Sequence, residues 1–143
     1  MKINIVIGSI FTIILINNVE GKFNLDGLKK MTKPLKAPCI QQSGVDPELI
    51  TAANNGNFAD DPNLKCYFMC LLQKLQGVKG GKISVPAIRT QAQALMEETL
   101  AVRVNQLLDA CEHTTHHEDV CVAAFEYFKC AVAFDSTLNF FPS

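Results

Sequence analysis

Six cysteines stand in this 143-residue chain, and two of them, Cys66 and Cys70, fall within the pentapeptide CYFMC. Whether those thiols stay free, hold a metal or form bridges decides what so short a chain can fold into. The first residues supply the compartment. Lys2 precedes an apolar run from Ile3 to Ile16, which has the length of a secretory signal core and is too short for a comfortable membrane span. Small residues at Val19 and Gly21 suit positions −3 and −1 of a cleavage site, so residues 1–21 read as a signal peptide and 22–143 as one mature domain. The secretory route is oxidising, and a domain this small profits from cross-links, so the six cysteines read as three disulfides. No N-x-S/T sequon occurs.

The rest of the chain reads as all-α. Strand signals are nearly absent, and helix-period segments follow one another with capped starts. A first helix runs from about Asp26 to Gln42, disturbed by Pro34 and Pro38 and closed by Gly44. Asp46-Pro47-Glu48 starts a second, which fades at NNGN. Asp61-Pro62 starts a third, which ends at Gly77. GVKGGK reads as a flexible joint before a fourth helix opened by Ser84 and Pro86 and reaching Met96. A fifth covers about Glu98 to His113 and a sixth about Glu118 to Phe134, leaving DSTLNFFPS as a tail.

Helical geometry limits the cysteine pairing. At about 100° per residue, Cys66 and Cys70 share one side of the third helix, with Phe68, Leu71, Leu72 and Leu75 roughly opposite. Side chains one turn apart run nearly parallel, which disfavours a bond between those two cysteines. Cys121 and Cys130 point about 180° apart and lie ~13 Å apart along the sixth helix, too far to bridge. Of the fifteen pairings of six cysteines, ten survive both exclusions.

The full spacing, Cys39-x26-Cys66-x3-Cys70-x40-Cys111-x9-Cys121-x8-Cys130, resembles that of the six-cysteine insect odorant-binding proteins, the pheromone and general-odorant carriers. The x3 and x8 gaps are the most characteristic, and the signal peptide and mature length agree too. The resemblance implies six helices around an apolar cavity and first-to-third, second-to-fifth and fourth-to-sixth pairing. Those pairs are Cys39–Cys70, Cys66–Cys121 and Cys111–Cys130, which would make the third helix a hub.

The expected cavity wall comprises Phe68, Leu72 and Leu75 on the third helix, Val85, Ile88, Leu95 and Met96 on the fourth, and Val104 and Leu108 on the fifth. Phe125, Tyr127, Phe128 and Val132 complete it on the sixth. Six of the eleven aromatic residues lie in the last nineteen positions, two of them beyond the last helix, where disorder would expose them. In tails of this length the resemblance implies folding over or into the cavity, so Leu138, Phe140 and Phe141 are expected to close one wall. Tyr127, Thr90 and Thr99 are the candidate polar handles. His113, His116 and His117 in HTTHHED read as a solvated turn or as a pH sensor acting with Asp135, because histidine changes charge between pH 5 and 8.

Several classes fit poorly. Net charge near zero offers no case for nucleic acid or an anionic membrane. Lys29, Lys30, Lys33 and Lys36 read as a solvated helix face. Zinc knuckles favour C-x2-C in turns, so no metal site is expected, and no cofactor. GVKGGKIS departs from the phosphate-loop spacing, and no nucleophile elbow occurs, so an enzyme is not expected. Saposin-like bundles share the size and the three disulfides but not the spacing. The expectation is therefore a secreted carrier of a small apolar ligand, as monomer or weak homodimer without membrane insertion. The resemblance implies sensillar lymph and delivery to a chemoreceptor, while other body fluids and hormone or lipid cargo remain the alternative.

Overall fold

Helix starts are set by side chains that take up orphan amide hydrogens. A computed structural model describes residues 22–139. The expected signal peptide, Phe140 and Phe141 lie outside the described residues. Asn24 caps α1 by accepting from the Gly27 N–H at 2.8 Å. This helix has two α-helical stretches, Leu25–Thr32 and Lys36–Ser43, joined by a 3-10 turn over Lys33–Leu35. Pro34 sits in that turn: it has no N–H to donate, so the turn tightens there. Pro38 does not interrupt further, since it falls in the first turn of the second stretch. Gly44, with φ 71°, closes the helix in the left-handed region.

Asp46 caps α2 (Pro47–Asn54), Asp61 caps α3 (Pro62–Lys74) and Ser84 caps α4 (Val85–Leu95), each by accepting a first-turn N–H. Helix α5 (Glu98–Cys111) continues into a 3-10 turn over Glu112–His116. Asp119 then caps α6 (Val120–Phe134), and a last 3-10 turn covers Ser136–Leu138. Among the described residues these are six helices.

The expected flexible joint before α4 is instead a tight hairpin, in which β1 (Val78–Lys79) pairs antiparallel with β2 (Lys82–Ile83). Gly80 and Gly81, at φ 58° and 76°, supply the two consecutive left-handed residues that a type I′ turn demands. A second extended contact ties the N-terminal segment down. The Phe23 N–H donates to the Leu95 carbonyl and the Phe23 carbonyl accepts from the Glu97 N–H, strapping the chain across the α4–α5 joint.

Disulfides join Cys39 to Cys70, Cys66 to Cys121 and Cys111 to Cys130. Helix α3 therefore carries two bridges from adjacent turns, one to α1 and one to α6, and it packs most heavily on those same two helices. Beside the Cys66–Cys121 bridge, rings fill the interior. Phe68 stacks on Phe128 with centroids 4.6 Å apart, Phe58 meets Phe125 edge-on at 5.7 Å, and the Lys65 ammonium caps the Phe125 face at 5.3 Å.

Candidate ligand cavity

The ring-filled interior gives way to empty space toward the C-terminal half of α6. On that helix Tyr127, Phe128, Ala131 and Val132 recur at helical spacing and, with Asp135 just past its end, form one wall of a cavity of about 90 Å³. Leu28 and Met31 of α1 face them, together with Leu72 and Leu75 at the end of α3. Ile88, Gln91, Ala92 and Leu95 of α4, followed by Met96, form a third wall, and Val104 and Leu107 of α5 a fourth. Gly77 also belongs to the lining, and a Cβ there would stand 3.2 Å from Ile88. Leu138 and Asn139 of the tail close one end, with Leu138 buried.

Ten of the residues expected from the sequence meet here: Leu72, Leu75, Ile88, Leu95, Met96, Val104, Tyr127, Phe128, Val132 and Leu138. Four others are placed elsewhere. Phe68 and Phe125 belong to the aromatic cluster, Val85 is buried in the first turn of α4, and Leu108 is sealed in the core. The cavity begins one turn beyond Phe68, so sharing a face with Leu72 does not bring that ring to it. Thr90 and Thr99 are exposed, and the Thr90 hydroxyl donates to the Pro86 carbonyl. Leu28, Met31, Gln91, Ala92, Leu107 and Ala131 were not anticipated. For Gln91, Ala92, Leu107 and Ala131 the signal was present as i, i+3, i+4 stripes with residues that were, such as Ile88 with Gln91, Ala92 and Leu95.

Charge is confined to the rim. The Asp135 carboxylate accepts from the Arg103 guanidinium at 2.8 Å and from the Thr137 hydroxyl and N–H, while Asn139 donates to Asn54 at 3.0 Å. Hydrogen bonds from Thr137 and then from Arg103 hold the Asp135 carboxyl below its ordinary value of 3.8. Acidification to pH 5 therefore leaves it charged, which speaks against the expected part of Asp135 in a pH sensor. His113, His116 and His117 are exposed at the opposite end of α6, about 22 Å away along its axis, so they do not meet Asp135 or the tail. His117 Nδ1 accepts from the Asp119 N–H. Among the described residues no cluster of His, Cys, Asp or Glu is placed to hold a metal ion, and no helix is long and apolar enough to cross a membrane.

A match to the PBP/GOBP family spans residues 22–133, the whole described helical body short of the tail. The chain belongs to the PBP/GOBP family. It is 27% identical to general odorant-binding protein 72 of Anopheles gambiae over 104 residues, covering 72% of this chain and 86% of that one. Odorant binding protein 4 of Chrysopa pallens has the same fold, with a TM-score of 0.74 at 21% identity, covering 84% of this chain and 99% of that one. Odorant binding protein 7 of Anopheles gambiae, solved with four disulfide bridges and an azo compound, is 28% identical with a TM-score of 0.66, covering 78% and 89% of the two chains. This PBP/GOBP chain has six cysteines, all paired, and so holds three bridges.

Proposed function

We propose that the chain is a secreted, non-enzymatic carrier that takes a small apolar molecule into the α1–α3–α4–α5–α6 cavity and moves it through aqueous fluid. The observation that carries this reading is the cavity itself, walled by leucine, isoleucine, valine, methionine and alanine with few polar groups, inside a domain of the PBP/GOBP family. Burial supplies the binding energy at about 0.8 kcal/mol per CH2, so a twelve-carbon chain gains ~10 kcal/mol before ordering costs, which leads to micromolar affinity or somewhat tighter.

The resting space is smaller than the ~150 Å³ that holds benzene in an engineered cavity, so the walls part as a chain enters. Met31 and Met96 suit that adjustment, being unbranched and flexible. Helix α4 suits it too, because it carries no cysteine. Delivery to a chemoreceptor, by a monomer or a weak homodimer, is the use in keeping with the relatives' names.

The test is titration of the oxidised mature protein with the apolar dye N-phenyl-1-naphthylamine at pH 7.4, followed by displacement with aliphatic molecules of increasing length. Saturable micromolar binding, with displacement that strengthens with chain length, is expected. Absence of dye binding by protein with all three cystines intact would sink the carrier reading.

A further inference from the structure

Four polar residues line the cavity: Gln91, Tyr127, Asp135 and Asn139. Two are spent on protein partners, Asp135 on Arg103 and Thr137 and Asn139 on Asn54. Tyr127 differs. Its side chain is buried, 5% exposed, yet its hydroxyl makes no hydrogen bond to any described residue. Nor is that oxygen walled off. Among the described residues the one hydroxyl both sealed and unpartnered is that of Tyr67, on α3 and away from the cavity. An unpaired hydroxyl in an apolar wall is costly, and a ligand oxygen is the group that would satisfy it.

The charges near the cavity narrow the ligand further. Arg89 stands close enough to Tyr127 to act on it electrostatically, but its guanidinium is committed to the Asp109 carboxylate and to the Asn105 carbonyl and side-chain oxygens. Arg103 is committed to Asp135 and Thr137, and among the described residues no lysine lines the cavity. A carboxylate ligand would find no free cation among those described lining residues and would meet the ionised Asp135 at the tail end.

On the carrier reading above, we infer that this cavity selects neutral chain molecules bearing one oxygen, alcohols, aldehydes or ketones, seats that oxygen on the Tyr127 hydroxyl, and turns away the corresponding carboxylates. The chain then runs along the apolar stripe of Phe128, Ala131 and Val132, about 12 Å from Tyr127 to Asp135 along α6. Burial holds the Tyr127 phenol well above its ordinary value, with Arg89 opposing slightly, so the group stays a proton donor throughout the neutral range. A donor there serves carbonyl and hydroxyl oxygens alike and gives an alkane nothing.

The experiment displaces the dye from the full mature protein at pH 7.4 with dodecanol, dodecanal, dodecane and dodecanoate. It is run on wild type, Tyr127→Phe and Gln91→Leu. Tyr127→Phe is expected to weaken dodecanol and dodecanal about twofold to tenfold while leaving dodecane and the dye unchanged. Gln91→Leu, which changes the other uncommitted polar group of the wall, is expected to weaken dodecanol less than Tyr127→Phe does, and wild type should bind dodecanoate more weakly than dodecanol. Dodecanoate binding as tightly as dodecanol would overturn the inference. So would equal affinities for dodecanol in wild type and Tyr127→Phe, or a loss confined to Gln91→Leu. If wild type bound neither the dye nor any of the four, the carrier reading itself would fall and this one with it. Normal dye and dodecane binding with no role for Tyr127 would remove only the inference.

Discussion

Ala124 and Ala131 lie seven residues apart on α6 and so point to nearly the same side, yet they meet opposite interiors. Ala124 is fully buried in the half of the molecule that holds the Cys66–Cys121 bridge and the rings of Phe58, Phe68 and Phe125. Ala131, two turns on, faces the cavity. One helix thus spans a solid half and a hollow half. Among the described residues no cysteine lines the cavity, although Cys130, between Phe128 and Ala131, ties α6 to α5 behind it, and α4, its outer wall, is held without sulfur by Arg89, the Phe23 strap and the hydrogen bond from Lys22 to the Gln93 carbonyl. Bridges set behind the walls rather than in them let the hollow half keep space that a domain of this size would otherwise have to fill.

Cutting the bridge in the solid half should have the largest effect. The Cys66–Cys121 disulfide closes a loop of 55 residues, for which chain entropy gives ~4 kcal/mol. Cys66→Ser with Cys121→Ser is expected to lower the free energy of unfolding in urea by about that amount, while dye affinity at low temperature stays within a few-fold of wild type. Equal loss of stability and affinity would show that the two halves are one cooperative unit, and the contrast would fail. The Cys111–Cys130 bridge, with a separation of 19, should cost ~1 kcal/mol less to remove.

This division of labour was only partly legible in the sequence. Caps announced themselves: Asp46, Asp61 and Ser84 each precede or neighbour a first-turn proline, and each accepts the expected amide. The cysteine spacing pointed to the scaffold through its resemblance to a known family, since geometry alone left ten pairings open. An apolar stripe, however, states that a face turns inward without stating whether it meets another side chain or a void. Phe125 and Phe128 read alike for that reason, although only Phe128 reaches the cavity. Leu28 and Met31 were hidden by the prolines that break α1. GVKGGK concealed its order because paired glycines suit a loose linker and a type I′ turn equally well.

The two alanines sharpen the comparison directly. Ala124→Leu inserts carbon atoms into a filled interior and should destabilise the fold by about 1–3 kcal/mol. Ala131→Leu enters open space, so its stability should stay within about 1 kcal/mol of wild type while dye affinity falls tenfold or more, a difference in binding of at least ~1.4 kcal/mol. Thermal unfolding and dye titration of both variants suffice. If Ala131→Leu proved as destabilising as Ala124→Leu with binding unchanged, the hollow half would not be where the ligand goes.

The smallest effect belongs to the clasp on the rim of the hollow half. Asp135 has a folded-state carboxyl held below the ordinary 3.8, so its contribution is fully present above the unfolded value and is lost as pH falls through the folded one. The tail turn at Ser136–Leu138 should therefore hold between pH 7.4 and pH 5 and loosen only below about pH 4. Arg103 and Asp135 are partly exposed, at 42% and 25%, so solvent screening leaves their pair worth no more than ~1 kcal/mol. Arg103→Gln removes one of the groups that depress the carboxyl, and the loosening should move upward in pH toward the ordinary carboxylate value. Amide exchange at Leu138 and Asn139, followed from pH 7.4 to pH 3, reads this out. Changing His113, His116 and His117 to Gln should leave that profile where it is, because those rings stand at the far end of α6. A profile that followed the histidines instead would mean that charge in the α5–α6 connection reaches the tail through the whole length of the helix, coupling the two halves.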